Sequence, residues 1–380
     1  MTAIERVTVR HVRYPLPRPL VSGFGVMKEM HSVLAEVTAG GQSGLGYTWG
    51  FDEAEATRVR ELAGTLARSL PGTDATDLRA RTSELRAAAA GLSRAGDSTD
   101  GDSIDGDSTD GDSTGAASAL DMALWDLAAR LRGEPVSVLL GSPPRTHAMY
   151  GSGGWLSLSL DELVADAVSF QDRGYAGFKM RVGGPDLETD IERIRAVAER
   201  LRPGFFLAVD ANQGWTRDQA ARACDRLSDA GLAWIEEPLS AADIEGLAAL
   251  RRRTDVPLSA GETLPGTEPV ADLVRGQAVD VFQPDLMHCG GVTPFLELAG
   301  LAARHDVRVA PHLYAEMSAH LMAAVPTGTL IEHVEGWFEH LFSRGPRQQS
   351  GTVTPTGEPG FGLAFNAETI RRYGRAELVL

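Results

Sequence analysis

The chain is poor in cysteine and in uninterrupted apolar sequence. Only two cysteines, Cys224 and Cys289, occur in 380 residues, which excludes a disulfide-stapled scaffold and favours a reducing compartment. No apolar run is long enough to span a membrane, and the N-terminal stretch MTAIERVTVRHVRYPL lacks the apolar core of a signal peptide. The sequence therefore predicts a cytoplasmic protein without a membrane partner.

Positive charge is also scarce. The chain has 36 Lys and Arg residues but 52 Asp and Glu, and its formal net charge of -16 at pH 7 argues against a nucleic-acid partner. An anionic substrate would have to be held by a local metal ion and local cations rather than by the overall field. Seven of the acids lie in one Asp-rich segment: Asp97, Asp100, Asp102, Asp105, Asp107, Asp110 and Asp112.

This segment, residues 96–115, repeats a five-residue unit as GDSTD, GDSID, GDSTD and GDSTG. The spacing of its acids superficially resembles that of a calcium loop, but no terminal Glu ligand or fixed Gly position matches such a loop. Its low complexity favours a disordered, solvated insert. A function of the repeat in metal or partner binding is the alternative.

Residues 1–140 lack a regular alternation of strands and helices. Residues 7–14 and 32–38 alternate like antiparallel strands, the Gly-rich link GGQSGLGYTWG follows, and helices are predicted at 53–70 and 77–90. Together with the helical segment AASALDMALWDLAARLRG they predict a separate α+β domain, interrupted by the insert at 96–115. The C-terminal segment 356–380 is predicted to return to this domain.

Strands and helices alternate between residues 141 and 355. Short apolar runs are separated mostly by segments of about ten to fifteen residues with helical period, as βαβ units require. Eight parallel strands of this kind predict a closed barrel and not an open sheet. The predicted strands are 147–152, 177–181, 205–210, 233–236, 258–262, 279–283, 307–311 and 329–333.

Three acidic residues recur at intervals of 26 residues, each at the end of a predicted strand. They are Asp210 in AVDANQGW, Glu236 in AWIEEP and Glu262 in SAGET. The C-terminal ends of parallel barrel strands surround one mouth, where such barrels place their sites. Three carboxylates that converge there predict a Mg²⁺ site. The alternative is three unrelated, solvated acids.

A basic pair, Lys179 and Arg181, ends the second predicted strand in GFKMRVGG. Residues two apart on a strand point to the same side, which here is the barrel interior. Because a buried charge is costly without a partner, two cations that face three acids predict a site for an anion together with a metal. Alternatively, one of the two merely neutralises the acids.

A histidine and two further acids end the last three strands. Asp285 in QPD and His312 in APH are 27 residues apart, again one strand-helix unit, so the carboxylate could accept the imidazole N–H and leave the other nitrogen as a base. Glu332 in TLIEHVEGW could be a neutral acid if it is desolvated. A shifted register would instead place Glu335 or His333 there.

These side chains together suit the removal of a proton next to a carboxylate. A carboxylate substrate that bridges Mg²⁺ and Lys179 would have an acidified α-C–H, because the metal and the cations stabilise the resulting negative charge. His312 is then placed to take or return a proton.

At this point the chain resembles the enolase superfamily and, within it, the mandelate racemase subgroup. The resemblance rests on VDANQGW, WIEEP, SAGET, the QPD and APH pair, AEMSAHLMAAVPTG and ALDMALWDLAARLRGEPVSVLLG, and it covers almost the whole chain. It implies an α+β capping domain over a (β/α)7β modified TIM barrel and a homo-oligomer. By residue it implies Mg²⁺ ligands at Asp210, Glu236 and Glu262, a substrate contact at Asn212, a dyad of Asp285 and His312, and an electrophilic or acid group at Glu332.

Two positions help to narrow the reaction. Asp285 stands where the muconate-cycloisomerising branch would carry a lysine, which argues against that branch. Arg181 departs from the racemase pattern, which has a second lysine there as a base, and arginine is a poor base because it is effectively always protonated. A reaction with one strong base and a cationic opposite face fits better.

The expected reaction is therefore dehydration of an acid sugar, an aldonate or aldarate, to a 2-keto-3-deoxy acid. His312 would serve as the base or would protonate the departing hydroxyl. The alternatives are a racemase or epimerase of a 2-hydroxy acid, a cycloisomerase of an anhydro sugar acid, and a non-catalytic protein that acts through the Asp repeat.

Substrate specificity is expected from the capping domain. By position, residues 23–31 and 47–51 would cover the barrel mouth, with Lys28 and Trp49 as candidate substrate contacts. A polar Lys28 suits a polyhydroxy acid better than an aromatic one. Either residue could instead pack internally or face solvent.

Overall fold

The structure, a computed structural model, describes residues 2–23, 25–96, 109–184 and 186–380. A four-stranded antiparallel sheet forms the base of the capping domain, in the order β16-β1-β2-β3. Its strands are β1 (Ile4–Ser22), β2 (Gly25–Ala39), β3 (Gln42–Gly50) and β16 (Gly374–Val379). The last strand of the chain thus pairs with the first.

The Gly-rich link predicted at residues 40–50 is wrong, because most of it forms strand β3. Helix α3 (Thr109–Arg132) packs on this strand. A Cβ atom on Gly44 would lie 2.1 Å from the carbonyl oxygen of Ala123, and one on Gly46 would lie 2.0 Å from that of Ala119. These glycines therefore allow direct contact between strand and helix backbone, and are not turn signals.

Two further helices, α1 (Glu53–Ala67) and α2 (Leu78–Gly96), pack with α3 around one face of the sheet. The predicted solvated insert is wrong for residues 109–115, which form the first turns of α3. Asp112 there is buried and pairs with Arg58 on α1 at 2.6 Å. Acids in the first turn of a helix also interact favourably with its dipole. The rest of the predicted insert lies outside the described residues.

The barrel has eight parallel strands, which confirms the predicted fold class. Neighbouring strands pair in the order of the chain, and the eighth strand pairs with the first. The seventh meets the segment before the eighth through a bridge between Val309 and Gly328. The strands are β4 (His147–Gly153), β5 (Gly177–Arg181), β6 (Phe206–Asp210), β7 (Ile235–Glu236), β8 (Leu258–Ala260), β9 (Val281–Phe282), β10 (Arg308–Val309) and β11 (Ile331–His333).

Seven helical connections follow the first seven strands, as a (β/α)7β barrel requires. Several start at residues that cap them: Ser159 and Thr216 each form a capping box with the third residue of the helix. The helices are α5 (Leu160–Asp172), α6 (Leu187–Ala198), α7 (Arg217–Leu227), α8 (Ile244–Arg253), α9 (Thr267–Arg275), the pair α10 (Leu286–Cys289) and α11 (Val292–Arg304), and α12 (Ala315–Leu321).

The capping domain is fixed on the barrel by buried carboxylates of helix α3. Asp126 accepts hydrogen bonds from the backbone N–H groups of Leu45 and Phe361 at 2.8 and 2.6 Å. Asp121 accepts one from the backbone of Thr293 at 3.1 Å. Asp126 thus joins helix α3 to strand β3 and the C-terminal segment, and Asp121 joins it to helix α11 of the barrel.

The short helix α4 (Val136–Leu139) follows α3, and a C-terminal excursion leads back to the capping sheet. This excursion contains β12 (Phe342–Arg344), β13 (Arg347–Gln349), β14 (Thr352–Thr354), β15 (Ala364–Phe365) and α13 (Ala367–Tyr373). Among the described residues, no helix combines the length and the apolar character that a membrane crossing needs.

A buried histidine pair in the capping sheet predicts acid sensitivity. His11 Nε2 and His31 Nδ1 are 3.3 Å apart, and burial together with His31 lowers the pKa of His11 from 6.5 to about 4. Between pH 6.5 and about 4, His11 is therefore protonated in the unfolded chain but neutral in the folded chain. The stabilising contribution of neutral His11 is complete above pH 6.5 and is lost as the pH falls towards 4.

We expect the difference in melting temperature between wild type and His11→Gln to become less favourable to wild type from pH 7 to pH 4.5. Calorimetry at several pH values measures this difference. His305→Gln is the control, because His305 is exposed. A melting-temperature difference between wild type and His11→Gln that does not change with pH would contradict the lowered pKa of His11.

Candidate active site

Three carboxylates meet at the C-terminal mouth of the barrel. Asp210, Glu236 and Glu262 follow neighbouring strands, are almost fully buried, and offer oxygen atoms that lie within 4.8 Å of one another. The parallel register aligns them, since Asp210 pairs with Glu236 across β6 and β7. The regular spacing in the sequence thus becomes one cluster in space.

Burial makes two of these carboxylates, Glu236 and Glu262, hard to ionise without a cation. It raises the pKa of Glu262 to about 7 and that of Glu236 well above its ordinary value. Glu262 Oε2 is buried and makes no hydrogen bond to any residue that the structure describes. Three hard oxygen donors that lack sufficient positive charge around them fit a Mg²⁺ ion, which prefers carboxylate ligands.

Lys179 lies among these acids, fully buried. Its ammonium contacts Glu236 closely and lies 3.4 Å from Asp210 and 2.9 Å from Glu332. Burial alone would lower the pKa of Lys179, but Glu236 and Glu332 raise it well above the ordinary value. Lys179 is therefore a permanent cation in this site.

Arg181 is a second fixed cation. Its Nη1 lies 3.0 Å from Asp210 Oδ2, and its guanidinium lies 5.0 Å from the ring centroid of Trp155, in the range of a cation–π contact. Nε of this side chain is buried and has no hydrogen-bond partner in the described chain. Arg181 thus has a spare donor for an anion.

Asn212 is turned towards Asp210 by an uncommon backbone conformation. Its φ is +42°, and its backbone and side-chain N–H groups donate to the two oxygens of Asp210 at 2.8 and 3.1 Å. A positive φ is unfavourable outside glycine and is tolerated where the surroundings impose it. Asn212 Oδ1 is buried and has no hydrogen-bond partner among the described residues, so it can accept from a hydroxyl or water.

The dyad has a well-defined geometry. His312 Nδ1 and Asp285 Oδ2 are 2.7 Å apart, while Asp285 Oδ1 caps helix α10 by accepting from the N–H groups of Met287 and His288. The cap fixes the carboxylate, and the carboxylate fixes the imidazole. His312 Nε2 points to the acids, 3.6 Å from Glu262 and 3.8 Å from Glu332.

The charge state of the dyad follows from its neighbours. Burial lowers the pKa of His312, but Glu262, Glu332 and Asp285 outweigh it and raise the pKa to about 10. A cation held by Glu262 would bring this pKa down, because it neutralises the carboxylate that raises it most.

Glu332 faces the barrel interior. Its carboxylate forms an ion pair with the Lys179 ammonium and accepts a hydrogen bond from the backbone N–H of Leu313 at 3.3 Å. Burial would raise the pKa of Glu332, but Lys179, His312 and Arg181 hold it well below its ordinary value. The arrangement therefore favours an ionised Glu332 and not the neutral acid that the sequence had suggested.

The other two residues considered for this position lie elsewhere. His333 contacts Tyr175 at 2.8 Å and Glu339 at 3.3 Å, on the outer side of the barrel wall. Glu335 is exposed and pairs with Arg173. The unshifted register is the one in the structure.

The acidic side chains of the site outnumber its basic ones. Five buried carboxylic acid groups face two permanent cations and one histidine, so a divalent cation would reduce the excess of acidic groups. The acids are Asp210, Glu236, Glu262, Asp285 and Glu332, and the bases are Lys179, Arg181 and His312.

Two supporting residues escaped the sequence analysis. Trp234 Nε1 and Gln283 Nε2 both donate to Glu236 Oε2, at 2.9 and 2.8 Å. Trp234 precedes Glu236 by two positions, and Gln283 precedes Asp285 by two. Because alternate strand residues share a side, this spacing was a usable signal for both.

The capping domain reaches the mouth at the tip of its first hairpin. A Cβ atom on Gly23 would lie 2.9 Å from Asn212 Cβ, so this tip lies directly on the site. Lys28 is exposed on strand β2. Trp49 is buried and packs edge-on against Phe51 and Trp337. Whether Lys28 or Trp49 touches a substrate stays a prediction.

Comparison with known proteins agrees with this architecture. Residues 4–141 match the family model described as mandelate racemase / muconate lactonizing enzyme, N-terminal domain, and residues 162–369 match that described as enolase C-terminal domain-like.

Among curated relatives, the L-talarate/galactarate dehydratase of Salmonella typhimurium is 34% identical over 347 residues, which cover 91% of this chain and 83% of that protein. The 3,6-anhydro-alpha-L-galactonate cycloisomerase of Streptomyces coelicolor is 31% identical over 374 residues, which cover 97% of this chain and 99% of that protein.

Solved structures agree over the full chain. The Salmonella dehydratase, crystallised with Mg and L-lyxarohydroxamate, superposes with a TM-score of 0.90 at 32% identity and covers 100% of this chain and 94% of its own. The L-talarate dehydratase of Polaromonas sp. JS666, complexed with Mg and L-glucarate, has a TM-score of 0.87 at 34% identity. The match covers 100% of this chain and 99% of that chain. This chain belongs to the mandelate racemase/muconate lactonizing enzyme family of the enolase superfamily.

Proposed function

We propose that this protein is a Mg²⁺-dependent acid-sugar dehydratase that converts an aldonate or aldarate to a 2-keto-3-deoxy acid. The observation that carries the proposal is the asymmetry of the site. One flank has a hydrogen-bonded His312–Asp285 dyad, and the other has two fixed cations, Lys179 and Arg181. Such a site has one titratable base and one anion-binding face.

Asp210, Glu236 and Glu262 would hold the metal ion, which when bound supplies Lewis-acid stabilisation of negative charge on the substrate carboxylate. Lys179 and Arg181 add permanent positive charge next to the same carboxylate. Their contacts with the acids fix them before substrate arrives, so little reorganisation accompanies the reaction.

His312 moves the proton. Neutral imidazole accepts the α-proton at Nε2, while Asp285 holds the N–H of Nδ1 and stabilises the imidazolium that forms. The C–O bond at the β-carbon breaks, and the imidazolium returns its proton to the departing hydroxyl as water. The remaining enol becomes the 2-keto-3-deoxy acid, so one water is lost and no redox change occurs.

Proton NMR tests this proposal. A set of aldonic and aldaric acids is incubated with the protein and Mg²⁺ in D₂O. We expect loss of the α-proton signal and appearance of a 3-deoxy product that carries deuterium. Exchange or inversion at the α-carbon without loss of water would overturn the dehydratase assignment.

An isomerase is the second candidate. The Streptomyces cycloisomerase matches this chain almost end to end. Ring opening of an anhydro sugar acid loses no water, so including such acids in the NMR set separates the two functions.

Variants that remove or keep the positive charge at position 181 test whether Arg181 holds the substrate carboxylate. We expect Arg181→Met to lower kcat/KM for dehydration about 10- to 100-fold, because a hydrogen bond to a charged group is worth about 1.5–3 kcal/mol. Arg181→Lys retains the charge and should restore most of the loss. If Arg181→Met instead retained wild-type kcat/KM, Arg181 would have no part in holding the substrate carboxylate.

The cytoplasmic location and the homo-oligomeric state expected from the sequence stay predictions. Size-exclusion chromatography with light scattering measures the oligomeric state directly.

A further inference from the structure

Three motif residues next to the metal ligands have no direct contact role in the site described above. Gln213 follows Asp210 by three positions, Glu237 directly follows Glu236, and Thr263 directly follows Glu262. Each lies in the segment that directly follows a different strand, β6, β7 or β8. In the structure these three side chains meet.

They form a closed ring of hydrogen bonds. Gln213 Nε2 donates to Glu237 Oε2 and to Thr263 Oγ1, both at 3.0 Å, and Thr263 Oγ1 donates to Glu237 Oε1. The N–H of Ala241 donates to Gln213 Oε1 at 3.1 Å, which fixes the orientation of the amide. Every polar atom of the three side chains is therefore used.

The ring is supported by strained backbone. Gln213 has a φ of +61° and Glu237 a φ of +38°, both in the left-handed region that disfavours side chains. The N–H of Gln213 donates to the carbonyl of Glu237 at 2.9 Å, and the N–H of Glu237 donates to that of Ser259 at 2.9 Å. Such conformations cost energy and persist only where several bonds impose them.

The ring links the ends of the three strands that position the metal ligands. The three metal-ligand carboxylates lie at or just after the ends of three separate strands, and two of these strands, β7 and β8, are only two and three residues long. A relative shift of any two strand ends would stretch a bond of the ring. The ring therefore opposes such shifts, as outer partners of metal ligands do elsewhere.

We infer that Gln213, Glu237 and Thr263 are positioning residues that hold the three ligand-bearing strand ends in register and so set the affinity for Mg²⁺. This inference rests on the metal site of the proposed function and deepens it. None of the three side chains is required to touch substrate.

Thr263→Val is the informative variant, since it keeps the shape of the side chain but removes both of its bonds in the ring. We expect the Kd for Mg²⁺, measured by calorimetry on chelator-stripped protein without substrate, to rise about 10- to 100-fold. Thr263→Ser restores the hydroxyl and should return the Kd to within about threefold of wild type. Gln213→Leu should resemble Thr263→Val.

Thr216→Val is the matched control. Thr216 lies in the segment after β6 that also contains Gln213, and it caps helix α7 through bonds with Gln219 at 3.0 and 3.3 Å. Its loss should lower the melting temperature and leave the Kd for Mg²⁺ unchanged.

A Thr263→Val protein with a lower melting temperature but an unchanged Kd would overturn the inference, because the ring would then be merely structural. Wild-type protein that binds no Mg²⁺ would overturn it as well. A change in Kd in a protein that dehydrates no acid sugar would support the ring and contradict only the proposed reaction.

Discussion

Replacing His312 by asparagine is expected to lower kcat for dehydration by about 10²- to 10⁴-fold, the usual contribution of a general acid–base group. Asparagine fits the space beside Asp285 but cannot accept a proton. Because the α-proton then has no acceptor, its exchange with D₂O should be lost together with product formation. Steady-state kinetics and NMR exchange measure the two effects.

Two comparisons make this test specific. His305→Asn changes an exposed histidine on the surface and should leave kcat unchanged. The double variant with Asp285→Asn should lose little more than His312→Asn alone, since Asp285 acts through the imidazole that it orients. Retention of more than a tenth of wild-type kcat in His312→Asn would rule this histidine out as the main base.

Replacing Lys179 by methionine is expected to have a large effect on both stability and activity. Methionine fills similar space but leaves the buried carboxylates Glu236 and Glu332 without their cation. Removal of one partner from a buried ion pair costs about 3–5 kcal/mol, because the other charge stays desolvated. We expect a loss of this order in the free energy of unfolding in chelator, and no detectable dehydration.

Magnesium should reduce the stability defect of Lys179→Met, because a bound divalent cation offsets part of the unpaired charge. The difference between unfolding with Mg²⁺ and with chelator should thus be larger than in wild type. Arg253→Met provides the control: its pair with Asp225 is more than half exposed, so the change should be at most about 1 kcal/mol. Equal stability of Lys179→Met and wild type in chelator would contradict the ion-pair network.

The fold was largely predictable, because its pattern is repetitive. Each strand of the barrel carries apolar residues of strand character, and the cap-forming residues before several helices are explicit in the sequence. The predictions failed where a residue's usual preference was overridden by its tertiary neighbour. Gly44 and Gly46 look like turn residues but are required by the close approach of helix α3.

The Asp-rich segment shows the same limit. Its composition predicts disorder throughout, yet residues 109–115 join helix α3, where Asp112 is paired with Arg58. Composition reports on average preference and cannot reveal a specific partner on another helix.

The sequence by itself determined which side chains share the barrel mouth. Intervals of 26, 26 and 27 residues correspond to one strand and one helix, so residues in the same phase end neighbouring strands at the same level. This argument needs only the geometry of parallel βα units, and it also identifies Mg²⁺ as the suitable ion from the chemistry of the ligands.

Only the tertiary structure decided how these groups interact. The pKa directions of Lys179, His312 and Glu332 depend on burial and on distances between strands, which no spacing along the chain contains. The ring of Gln213, Glu237 and Thr263 likewise requires three strand ends to meet. Electrostatics and hydrogen bonding act across space, and for that reason the chemical state of this site is a property of the fold.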